Sequence, residues 1–162
     1  MRRILAILME NEPGALSRVA GLFSARNYNI ESLSVAPTEE PSLSRMTIVT
    51  AGDDGVIEQI TKQVNKLIEV FKVTDITDKR HIERELMLVK VRATSERREE
   101  MKRLADIFRG AIVHVSPAAY IIQVAGDGEK LDAFLRAVGE KNIVETARTG
   151  VCGIAREEGM QK

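Results

Sequence analysis

Seven consecutive residues, Glu10-Asn11-Glu12-Pro13-Gly14-Ala15-Leu16, hold the mix of side chains in this sequence best suited to binding chemistry. Asn11 is both donor and acceptor, so it can serve an ammonium or a carboxylate. Gly14 lacks a Cβ, which lets another group approach the backbone. An apolar helical period starts just beyond it, so the unpaired N–H groups of a first helical turn form a ready carboxylate site, with the donors expected at Gly14 and Ala15. A free amino acid carries an ammonium and a carboxylate on one carbon, and the segment offers a partner for each. Asn and Pro-Gly are also ordinary turn residues, and Gly14 can serve the helix start alone. Asn29 supplies a second amide further along, where another strand is predicted to begin.

The elements that must position these residues are legible. Ile4–Met9 is apolar on both faces, as expected of a central strand. Ala15, Leu16, Val19, Leu22 and Phe23 then recur on one helical stripe, ending near Asn27. A strand is predicted over Ile30–Ala36, with Leu33 and Val35 on one face and Ser32 and Ser34 on the other. Pro37-Thr38-Glu39-Glu40-Pro41 is turn chemistry, and Arg45–Ala51 returns antiparallel. Gly52-Asp53-Asp54 opens a helix carrying Ile57, Ile60, Val64 and Leu67, with acidic groups where its dipole favours them. Val70–Ile76 closes a β-α-β-β-α-β unit.

The same order then repeats. Residues 77–83 are polar and read as a linker. A strand at Arg84–Ala93 precedes a helix at Glu96–Arg109. Ala111–Val115 and Ala119–Ala125 form a hairpin, a helix carries Leu131, Phe134, Leu135 and Val138, and Ile143–Gly150 ends the unit. The predicted class is α+β, with two tandem ferredoxin-like sandwiches over residues 1–76 and 84–162. In this topology the first unit's strands lie in the order fourth, first, third, second. Ile30–Ala36 is then an edge whose stretch Ser32-Leu33-Ser34-Val35-Ala36 carries no Lys, Pro or inward charge before Pro37, so a second copy is expected to pair along it. Pairing would let Asn29 of one chain approach the Asn11–Gly14 loop of the other.

The bulk composition narrows the partners. The 162 residues are 44% apolar, and 24 Lys and Arg balance 24 Asp and Glu. No long-range field gathers nucleic acid or an anionic membrane. Aromatics make up 4%, with no Trp, which argues against base stacking. The single cysteine, Cys152, excludes an internal disulfide framework and fits a reducing compartment. No run approaches the ~20 apolar residues that cross a bilayer, and Ile4–Met9 is too short for a secretory core. A cytoplasmic location is expected.

Asn11-Glu12-Pro13-Gly14-Ala15-Leu16-Ser17-Arg18-Val19, followed by Asn27-Tyr28-Asn29-Ile30-Glu31-Ser32-Leu33, resembles an ACT domain. More narrowly, it is similar to the small regulatory subunit of acetolactate synthase. The likeness continues through Leu43-Ser44-Arg45-Met46-Thr47-Ile48, Glu83-Arg84-Glu85-Leu86-Met87-Leu88-Val89-Lys90 and Lys130-Leu131-Asp132-Ala133-Phe134. The resemblance implies a chain with no catalytic residue, no metal and no cofactor of its own. Its expected partner is a large catalytic subunit using thiamine diphosphate, Mg and FAD, which it activates and subjects to feedback inhibition, typically by valine. Carried over by position, Asn11, Gly14 and Asn29 match effector contacts, with Glu12, Ala15, Leu16 and Ile30 beside them. Effector binding is expected to bias the relation of the two domains across residues 77–83.

Other readings of the topology fit less well. An acylphosphatase-like enzyme needs a phosphate-cradling loop, and this one is acidic at Glu10 and Glu12. An RNA-recognition module needs aromatics on Arg45–Val49, and a heavy-metal carrier needs a second cysteine. His81 and His114 read as solvated or structural, and Ser95–Glu100 as a charged helix start. A free-standing amino-acid sensor acting on another target remains the alternative.

Overall fold

The apolar character of Ile4–Met9 on both faces is matched by burial on both. In the computed structural model, which describes residues 1–156, this stretch belongs to β1 (Arg2–Glu10). Leu5, Ile7 and Met9 point into one core and Ile4 and Ala6 into another. β1 lies between β3 (Leu43–Ala51) and β4 (Val70–Asp75), and β2 (Ile30–Pro37) adds to β3, giving the order β2-β3-β1-β4. All three pairings are antiparallel. Helices α1 (Ala15–Ala25) and α2 (Asp54–Asn65) cover one face, burying Val19, Phe23, Ile57, Ile60 and Val64 against the sheet.

Local chemistry sets the helix ends. Asp53 caps α2 by accepting the Val56 N–H at 2.9 Å, which satisfies one orphan donor. α1 ends in a Schellman motif: the Tyr28 N–H reaches Phe23 O and the Asn27 N–H reaches Ser24 O. That motif needs a left-handed residue, supplied by Asn27 at φ 57°.

The second unit, Arg84–Gly150, repeats the plan. β5 (His81–Arg92), which begins in the first unit, is followed by α3 (Arg98–Ile107), β6 (Ala111–Val115), β7 (Ala119–Gly126), α4 (Gly128–Val138) and β8 (Ile143–Arg148). The sheet order is β6-β7-β5-β8. Its core joins Met87, Val89, Val91, Met101, Ile122, Val124, Leu131 and Phe134. Arg148 extends its guanidinium to Glu85 at 2.7 Å and Asp132 at 2.9 Å, tying β8 to β5 and α4. Both units thus carry the βαββαβ order, as expected.

The division of the chain differs from the expected 1–76, 77–83 and 84–162. Among the described residues, the first unit comprises Met1–Glu83 and takes back residues 151–156. There β9 (Cys152–Ala155) crosses the open face of the sheet, where Val151 packs on Ile4, Ala6, Val49 and Ile76. A Cβ on Gly153 would come within 2.8 Å of Ile76 Cδ1, so a larger residue there would have to push the buried Ile76 side chain aside. Residues 77–83 are no free linker either. The Thr77 hydroxyl accepts the Ile4 N–H at 2.9 Å, and buried Arg3 pairs with Asp54, Asp75 and Asp78.

His81 adds a charge-dependent contact to this segment. Its Nδ1 lies 2.8 Å from Lys79 O and its Nε2 2.9 Å from a Glu83 carboxylate oxygen. Two acceptors suit the imidazolium, which donates from both nitrogens. The Lys79 carbonyl, then Glu83, raise the pKa above 6.5, while partial burial and then Arg2 oppose them. A raised folded-state value means the contribution is complete below about 6.5 and is lost as pH climbs through the folded pKa. Thermal melts between pH 6 and 9 should therefore show a decline that His81→Gln removes; the same decline in the variant would refute the assignment.

Candidate functional site

Gly14 governs the geometry of the loop after β1. It is the N-cap of α1 at φ 85°, a left-handed conformation that side chains resist. Crowding is not the reason for glycine, because an added Cβ would meet only the flexible Arg18 guanidinium at 3.6 Å. The turn spends the Ala15 N–H on Glu12 O at 3.2 Å, and the Arg18 N–H is bonded to Gly14 O at 3.0 Å. Between them, Leu16 and Ser17 have no backbone acceptor among the described residues. Of the donors expected at Gly14 and Ala15, that of Ala15 is thus taken, while those of Leu16 and Ser17 join the free set. Ala15 itself is buried in the core, whereas Gly14 and Leu16 are exposed.

Asn11 is oriented by the turn between β2 and β3. Its N–H donates to Ser42 O at 2.8 Å and its side-chain amide donates to Pro41 O at 3.0 Å. A carbonyl can only accept, so the amide nitrogen faces Pro41 and Oδ1 faces away, available to a donor. The side chain that could have met either charge of a ligand is therefore set to receive an ammonium. The charges around it agree. Glu10 and Glu12 flank it, and Glu12 is the first cause of a raised Glu10 pKa, followed by burial and by Glu69. Glu69 holds Arg18 at 2.6 Å and accepts the Glu10 N–H on its carbonyl at 2.7 Å. Sequence reading missed the Arg18–Glu69 pair, because its partners are far apart along the chain and nothing local marks them.

Asn29 does not join Asn11 within one chain. β3 pairs Ile30 with Thr50 and Pro37 with Ser44, while β1 pairs Arg3 with Thr50 and Met9 with Ser44. β2 and β1 therefore run in the same direction. Asn29 precedes the start of β2, and Asn11 follows the end of β1. About nine residues of strand at ~3.3 Å each put them on the order of 30 Å apart. Asn29 is exposed, its carbonyl held by the Thr50 hydroxyl at 2.6 Å. Ile30 leans into the core beside Leu33 and Val35. A groove of about 310 Å³ on the open face is lined by Leu8, Arg45, Lys72 and Ile154, and by none of the seven loop residues.

Comparison with known families covers both units. The model for an AHAS small subunit-like ACT domain matches residues 5–72, and that for the small subunit of acetolactate synthase matches residues 84–157. The chain belongs to the acetolactate synthase small-subunit family. It is 55% identical to the acetolactate synthase isozyme 3 small subunit of Salmonella typhimurium across all of both chains. It is 56% identical to the Haemophilus influenzae acetolactate synthase small subunit over 98% of each. The crystal structure of the Thermotoga maritima small subunit superposes with a TM-score of 0.89 at 41% identity, covering 96% of this chain and 98% of that one. As a member of this family, the chain places its ACT fold in β1–β4 with α1 and α2. No helix among the described residues is long and apolar enough to cross a membrane, and no group of three or more His, Cys, Asp or Glu among them could hold a metal ion.

The crowding of carboxylates at the loop gives a direct check on its electrostatics. Glu12→Gln should bring the Glu10 carboxyl back toward its ordinary value in a carbon-detected NMR titration. An unchanged curve would assign the shift to burial and Glu69 instead.

Proposed function

We propose that this chain is the regulatory subunit of an acetolactate synthase, activating a thiamine-diphosphate-dependent catalytic subunit and making it sensitive to a branched-chain amino acid. Membership of the small-subunit family over both units carries the reading, and the loop geometry supports the effector half of it. The effector's carboxylate rests on the Leu16 and Ser17 N–H groups at the positive end of α1. Its ammonium donates to Asn11 Oδ1, in a neighbourhood already made negative by Glu10 and Glu12.

The site is shared between two chains. β2 is an edge whose outer N–H and C=O groups await a partner. An antiparallel pairing about a two-fold axis through Leu33 sets Ile30 of one chain opposite Ala36 of the other. The partner's start of β2 then arrives at the turn that holds Asn11. This pairing resolves the separation of the two asparagines, since Asn29 of the second chain completes the site. Leu16 provides apolar contact for an aliphatic side chain. A one-methylene difference is worth only ~1–3 kcal/mol, so the site is read as one for a small branched-chain amino acid, with valine, leucine and isoleucine as the candidates.

Two measurements test this. In a thermal-shift panel of the twenty amino acids, an effector near 100 times its Kd should add roughly 2.7 kcal/mol. That corresponds to about 5–11 °C for a chain of this size. A response confined to valine and its relatives supports the reading, and a flat panel counts against it. Gly14→Asp sets a carboxylate against that of the effector, at a cost of about 1–2 kcal/mol for the left-handed backbone. With the catalytic subunit, it should activate as wild type does yet need at least about tenfold more effector for inhibition. Inhibition at the wild-type concentration would contradict the site.

A further inference from the structure

The corner between α2 and β4 turns two large apolar side chains to solvent. Ile68 is 91% exposed and Phe71 57% exposed. Of the four phenylalanines, Phe23 and Phe134 are fully buried and Phe108 packs edge-on against Phe134 at 5.3 Å, so Phe71 alone faces outward. Its exposure is built in by the backbone. β1 pairs Leu8 with Lys72 but Met9 with Val70, which leaves Phe71 as the extra residue of a bulge. A bulge re-aims a side chain that regular alternation would send to one face of the sheet. Single exposed apolar residues are ordinary, and a bulge can serve only to blunt an edge. Lys72, exposed on the same strand, already supplies the charge that blunts this edge, so the aromatic ring and the branched aliphatic chain near it are not needed for that role.

Between the two lies Glu69, and it connects the corner to the effector loop. Its carbonyl accepts the Glu10 N–H, and its carboxylate holds Arg18, whose guanidinium lies over Gly14. β4 is also the edge of the sheet opposite β2. A dimer paired along β2 therefore keeps β4 free at both outer edges.

We infer that Ile68 and Phe71 are the anchors by which this unit docks on the large catalytic subunit, in an apolar pocket of that partner. The inference rests on the proposed regulatory function, which supplies the partner. A second copy of this chain is accounted for by the opposite edge, and an effector molecule is far too small to need both side chains. Continuity with the loop selects the catalytic subunit over an unrelated protein. The partner must sense whether the effector is bound, and Glu69 puts the docking corner in direct contact with the loop that holds it.

The test titrates the full chain into the purified catalytic subunit and reads the concentration giving half-maximal activation. Because both side chains are exposed, Ile68→Ser with Phe71→Ser should melt as wild type does and keep the full thermal shift with valine. Its half-activating concentration should rise at least about tenfold, as for loss of a central apolar anchor. Phe71→Ser alone should give most of that rise, and Phe71→Leu should largely reverse it. Ile154→Ser, at an exposed apolar position on β9, should activate as wild type does. A double variant that activates within about twofold of the wild-type concentration would overturn the inference. So would an Ile154→Ser variant weakened equally, since the effect would then not belong to the corner. A wild-type chain that fails to activate at all would remove the regulatory reading itself, and the docking corner with it.

Discussion

The order β2-β3-β1-β4 imposes one constraint on everything else in the first unit. With β3 between β1 and β2 and antiparallel to both, those two strands run the same way. The end of β1 and the start of β2 are then a sheet's length apart, whatever side chains they carry. Asn11 and Asn29 cannot meet through any local adjustment of a single chain. An antiparallel partner strand reverses direction and brings them to the same end. On the proposed pairing, effector binding and assembly would be coupled, because each site would take residues from both chains.

Much of this was legible in the sequence because it depends on periodicity and local backbone chemistry. Val19 and Phe23 fell at helical spacing, Leu33 and Val35 alternated with serines, and Asp53 stood where a cap is needed. From those elements and the known topology, the strand order and the exposed β2 edge followed. The likeness to the small subunits gave candidate effector residues by position, and the family comparison then assigned the chain to that family. What was not legible was set by contacts distant in sequence. Val151 and Gly153 resemble a tail, and only the open face at Ile4, Ala6 and Val49 explains their return to the first unit. The polar run 77–83 resembles a linker, yet buried Arg3 binds it through Asp78. The bulge at Phe71 arises from a register slip against Leu8 and Met9, which no local pattern announces.

The loop also shows how far residue type and residue role can differ. Asn11 is chemically ambivalent until Pro41 takes its amide nitrogen, after which one acceptor remains. Ala15 sits where a free donor was expected, but Glu12 has already claimed its N–H. Both changes come from the turns on either side, and together they give the loop a polarity, with donors toward α1 and acceptors toward Glu10 and Glu12. An amino acid has that same polarity about its α-carbon.

The shared site is most directly tested by complementation between two damaged chains. Asn11→Ala and Asn29→Ala homodimers should each bind the effector poorly, since every site in them lacks one amide. Mixed and allowed to exchange, half the dimers carry one of each chain, and each of these holds one site with both amides intact. Calorimetric titration of the mixture with valine should then recover about a quarter of the wild-type sites at wild-type affinity. A mixture that binds no better than its two components would place both asparagines in a site belonging to one chain, and would contradict the account.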